Sequence, residues 1–72
     1  PGYDHYALAV AQNDQGHLDK ALATLRHIHK VAPGQPNVLS ALMQYSNTAG
    51  DRTAAERYRT ELRATLQAAG LR

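Results

Sequence analysis

Five identical pairs of residues share one spacing in this chain: Ala7 and Ala41, Leu8 and Leu42, Asn13 and Asn47, Gly16 and Gly50, and Ala21 and Ala55 are each 34 residues apart. Ile28 and Leu62 add a conservative pair at the same offset. A shared offset of this kind marks an internal duplication, and a period of about 34 residues is the length of a helix–turn–helix unit that stacks into a solenoid. Units of this sort build surfaces rather than catalytic centres.

The rest of the sequence fits helices. The first is expected from about Tyr3 to Gln15, with Tyr6, Ala7, Val10 and Ala11 at helical spacing, closed by Gly16 as a left-handed cap. The second runs from about Leu18 to Ala32 and carries the stripe Leu18, Ala21, Leu22, Leu25, Ile28 and Ala32. Asp19 lies near its positive end and Lys30 near its negative end, and Pro33-Gly34 stops it. Pro36 suits the first position of a third helix, since the N–H it lacks would have no partner there. That helix carries Leu39, Leu42, Met43 and Tyr45 and stops at Gly50. Asp51 is the natural N-cap of the fourth, whose inward set is Ala54, Ala55, Tyr58, Leu62, Leu66 and Ala69, with Gly70 at its end. Short connections make consecutive helices antiparallel. The expected architecture is all-α, a single domain of two stacked helical hairpins covering about 3–34 and 36–69. Ala21 and Ala55 allow close helix approach, Ala9 matches Ala21 in the first hairpin, and Met43 at the equivalent place predicts a looser second crossing.

These residues resemble the tetratricopeptide repeat. Gly16-His17-Leu18-Asp19-Lys20-Ala21-Leu22 followed by Pro33 is similar to the central turn and closing proline of that motif, and Gly50-Asp51-Arg52-Thr53-Ala54-Ala55 to a second, weaker copy. The family's early aromatic is His5 and then Leu39 here, its later tyrosine Gln12 and then Ser46, its bulky second-helix residue Leu25 and then Arg59, and its second closing proline Gln67. The resemblance implies a concave groove lined by the first helix of each repeat: Tyr3, Tyr6, Ala7, Val10, Asn13 and Asp14, then Asn37, Ser40, Ala41, Gln44, Asn47 and Thr48. Of these, Tyr3, Tyr6, Val10, Asn13, Asn37, Ser40, Gln44 and Asn47 form the expected partner-binding set. It is polar and uncharged, suited to the backbone of a protein or peptide partner. No basic residue stands in it, which argues against clamping a chaperone's C-terminal carboxylate.

Arg52, Arg59 and Arg63 fall within about 40° of one another around the fourth helix, at roughly 100° per residue. In a solenoid that side would cover a following repeat, and charge there reads as a polar outer cap that ends the array near Arg72. Two repeats are fewer than the roughly three that stable solenoids use. The chain is therefore expected to be the C-terminal part of a larger scaffold, or to complete its stack as a homo-oligomer. Nucleic-acid binding through the arginine-rich helix is a weaker alternative: Glu56 interrupts the stripe, and no aromatic platform for bases lies among the arginines.

Composition narrows the remainder. With 72 residues, only about 60% of the unfolded surface can be buried. There is no cysteine to form a disulfide or a thiolate metal site, and the formal charge is only +2. His27 and His29 point about 200° apart on a helix and cannot chelate together, so the four histidines are expected to be solvated surface residues. No apolar run reaches the roughly 18 residues that span a bilayer. Ser40 and Ser46 have no nucleophile motif around them and no glycine-rich phosphate loop occurs, so neither an enzyme nor a cofactor is expected. Abundant alanine and arginine hint at a GC-rich bacterial source. The compartment is open between cytosol and periplasm.

Overall fold

The computed structural model describes residues 4–70, and the fold is all-α: α1 His5–Asp14, α2 Leu18–Val31, α3 Pro36–Thr48 and α4 Arg52–Ala68, with no strand among the described residues. Each helix packs on the next in sequence, and the principal extents are 35 × 34 × 18 Å. The shortest of these fits two helix layers, given axes about 8–10 Å apart.

The turns after α1 and α3 share one geometry. Gly16 and Gly50 both have φ +83, a left-handed conformation that costs glycine little. In the first turn Gly16 N–H donates to Asn13 C=O at 2.9 Å and His17 N–H to Gln12 C=O at 2.8 Å. In the second, Gly50 donates to Asn47 at 3.0 Å and Asp51 to Ser46 at 2.9 Å. Both are Schellman caps, which satisfy the last carbonyls of α1 and α3 and turn the chain into its hairpin partner. The helix starts differ. The Asp51 carboxylate accepts from Ala54 N–H at 3.1 Å, whereas His17, its equivalent, makes no side-chain cap. The Asp4 carboxylate caps α1 by accepting from Tyr6 and Ala7 N–H groups, so this helix begins at His5 rather than near Tyr3.

The core lies where α1, α2 and α3 meet: Ala9, Ala21, Leu22, Leu25, Val38, Ala41, Leu42 and Tyr45 are buried, with Tyr6, Leu18, Ile28 and Tyr58 packed around them. Of the expected α2 stripe, Leu18, Ala21, Leu22, Leu25 and Ile28 pack inward, while Ala32 is the C-cap residue past the helix end. On α1 the inward residue is Ala9, while Ala7 and Ala11 are exposed, because the short helix offers only a narrow line of contact to α2. Ala41, expected in the groove, is buried against the first hairpin, and Val38 and Ser46 also turn inward. Ala69, expected inward, is exposed, since it follows the last residue of α4. The α3/α4 contact is the more extensive of the two because α4, at 17 residues, is longer than the 10-residue α1; Ala54 and Ala55 are both buried in it, and half-buried Met43 lies toward the open side.

The departures from the repeat pattern have local substitutes in the first hairpin. The Thr24 hydroxyl donates to Gln12 Oε1 at 2.8 Å, tying α2 to α1 where the resemblance would place a tyrosine. In the second hairpin Ser46 occupies the equivalent place; it is 1% exposed and its hydroxyl has no partner among the described residues.

Candidate functional site

Tyr3 lies outside the described residues. The other seven members of the expected binding set divide by helix. On α1, Tyr6, Val10 and Asn13 are half-buried. Tyr6 packs on the core, and the Asn13 side chain hydrogen-bonds the Tyr45 hydroxyl. Burial pushes the Tyr45 phenol above its ordinary pKa. The nearby Tyr6 and Asp14 add to that, and the Asn13 bond works against it. Tyr6 and Asn13 thus help join α1 to α3 as well as edging the surface.

On α3, Asn37, Ser40, Gln44 and Asn47 are exposed. Ser40, Gln44 and Asn47 fall at i, i+4 and i+7, one stripe along the helix. They line a shallow depression together with Met43 and the Arg59 guanidinium of α4. The depression continues over Met43, Arg59, Leu62, Arg63 and Leu66. The amide and hydroxyl stripe therefore has an apolar and cationic neighbour, formed by arginines that the sequence suggests as a polar cap or a nucleic-acid surface and by Leu62 and Leu66, which it suggests face inward. The available signal was register: Arg59 stands 34 residues after Leu25, which is fully buried in the first hairpin.

Arg52 and Arg59 share a surface hollow with Met43, Asn47, Ala55 and Glu56, and Arg59 and Arg63 share the next, so the three arginines do lie on one side of α4. Arg59 Nη1 lies 3.9 Å from Glu56 Oε1, with both side chains more than half exposed. Such a pair contributes little to stability.

One histidine departs from expectation. His29 is not a solvated surface residue: its side chain is 21% exposed and Nε2 lies 3.0 Å from Glu61 Oε2. The α2 and α4 helices meet there, which withdraws the ring from water. Among the described residues no three His, Cys, Asp or Glu side chains gather as metal ligands would, and no helix is long and apolar enough to cross a membrane. No family model matches the chain, and neither a curated protein nor a solved structure matches it.

Proposed function

We propose that this chain is a pair of tetratricopeptide-like repeats acting as a protein–protein interaction module of a larger scaffold. The observation that carries this reading is the Ser40, Gln44 and Asn47 stripe, exposed along α3 beside Met43 and Arg59. It offers amide and hydroxyl hydrogen bonds beside modest apolar area, the mixture found where protein partners meet. The stripe sits on helices fixed by Schellman caps and a shared core, so binding there orders little of the module itself. The depressions beside it are open and shallow, a shape suited to an extended or helical segment.

The test uses the exposed members, because Tyr6 also supports the core. A photocrosslinking residue at position 44 should give discrete adducts with a small set of proteins from the source cell. The double variant Gln44→Arg, Asn47→Arg should lose those partners in affinity capture while keeping its helical circular dichroism. Capture of the same partners by that variant would reject the groove assignment.

A further inference from the structure

The 34-residue offset converts one observed interface into a statement about a face that nothing among the described residues covers. In the first hairpin, Ala9, Ala21, Leu22 and Leu25 are buried in a core shared with Val38, Ala41, Leu42 and Tyr45 of α3, with Ile28 packed against it, and Tyr58 and Glu61 of α4 reach that side, Glu61 at His29. Adding the offset gives Met43, Ala55, Glu56, Arg59, Leu62 and Arg63 in the second hairpin. Met43 and Leu62 are half-buried, and with Leu66 they floor the open depression from which Arg59 and Arg63 rise.

Two of the replacements say what would fit. His29 meets the Glu61 carboxylate of the covering hairpin at 3.0 Å. Its equivalent, Arg63, is a stronger and permanent cation and makes no ion pair among the described residues. Leu25, buried among apolar neighbours, becomes Arg59, whose closest carboxylate is the exposed Glu56 at 3.9 Å. A helix laid here would need apolar residues for the floor and carboxylates where the covering hairpin had Glu61 and its apolar contacts to Leu25.

A second copy of this chain does not meet that requirement. Stacked head to tail, it would bring His27, the equivalent of Glu61, toward Arg63. In place of Val38, Ala41 and Tyr45 it would offer Asp4, Ala7 and Ala11. A nucleic acid fits no better, since the floor is aliphatic and Tyr58 packs on the core.

We propose that the open α3/α4 face binds an acidic amphipathic helix of another protein, its apolar stripe on Met43, Leu62 and Leu66 and its carboxylates on Arg59 and Arg63. This rests on the reading of the chain as an interaction module and names a face and a partner chemistry for it.

The probe is a labelled helical peptide of about 20 residues, long enough to hold a helix, with leucines at i, i+4 and i+7 flanked by glutamates. A control has lysine for every glutamate. Fluorescence anisotropy should show the glutamate peptide binding about tenfold more tightly than the lysine peptide, with the advantage shrinking as salt rises. The variant Arg59→Glu, Arg63→Glu should invert the preference while its thermal melt stays close to that of the parent, since both side chains are exposed. Equal binding of the two peptides, or a preference unmoved by the charge reversal, would overturn the inference. So would a dimer in sedimentation that Arg63→Glu dissolves, or single-stranded RNA binding through the same arginines with no peptide binding. If the glutamate peptide fails while capture still depends on Gln44 and Asn47, the interaction-module reading survives and only this face assignment falls. If both fail, the broader reading falls with it.

Discussion

His29 Nε2 lies 3.0 Å from Glu61 Oε2, and the His29 ring stands edge-on to Tyr58 with centroids 6.0 Å apart and planes at 85°. One α2 side chain thus joins two α4 side chains a helical turn apart, across the boundary between the hairpins. With the hydrogen on Nε2 donated to Glu61, the buried Nδ1 is left without a partner among the described residues. Glu61→Ala should lower stability by about 1 kcal/mol, read as a shift of the urea midpoint at constant slope. Glu61→Gln keeps an acceptor and should cost less. A double-mutant cycle with His29→Ala should show a coupling of about 0.5–1.5 kcal/mol; additive losses would mean that the contact contributes nothing of its own.

Ser46 gives a prediction of opposite sign. Its hydroxyl is buried without a partner among the described residues. Ser46→Ala removes that group and adds helix propensity, so stability should rise by about 1 kcal/mol. Its equivalent Gln12 holds the Thr24 hydroxyl, and Gln12→Ala should lower stability by a similar amount. Chemical denaturation of both variants checks the pair, and two changes of the same sign would contradict it.

The contrast between these positions shows what the sequence could reveal. The helix ends were legible because they depend on local chemistry: Gly16, Gly50 and Gly70 all take positive φ, Pro36 opens α3 and Asp51 caps α4. The α2 stripe was legible because its apolar spacing is regular. Ala9, Ala41 and Ser46 were harder, since small residues carry little hydropathy signal and their burial is decided by how closely the next helix approaches. His29 and Glu61 are 32 residues apart in sequence, and only the stacking of the hairpins brings them together. The α3 stripe was placed by repeat register, but register alone did not show that Arg59 would stand beside Ser40 and Gln44.

The two hairpin turns supply an internal control for capping. His17 and Asp51 hold equivalent places with similar backbones, at φ −100, ψ 64 and φ −93, ψ 80, yet only Asp51 caps with its side chain. His17→Asp should stabilise the chain by about 1 kcal/mol, and Asp51→Ala should destabilise it by about the same amount. Thermal melts at neutral pH measure both. If His17→Asp leaves the midpoint unchanged, the two turns are not equivalent in solution.

Tyr45 gives the fold an alkaline limit. Burial holds its phenol above the ordinary value, reinforced by Tyr6 and Asp14, with the Asn13 bond opposing. The unfolded chain ionises this group at about pH 10, so the folded chain keeps its proton to higher pH. A raised folded pKa contributes stability that is fully present below the unfolded value and is lost as pH rises through the folded one. Tyr45→Phe removes that dependence together with the Asn13 bond. The variant should therefore begin about 1 kcal/mol less stable at pH 8, and the gap should narrow as pH rises past the unfolded value. Lysines and the other tyrosines titrate in both proteins, so the difference between the two stability curves isolates Tyr45. Curves that run parallel from pH 8 to strongly alkaline pH would mean that the phenol ionises equally easily folded and unfolded, and that the α1–α3 seam is open to water at this point.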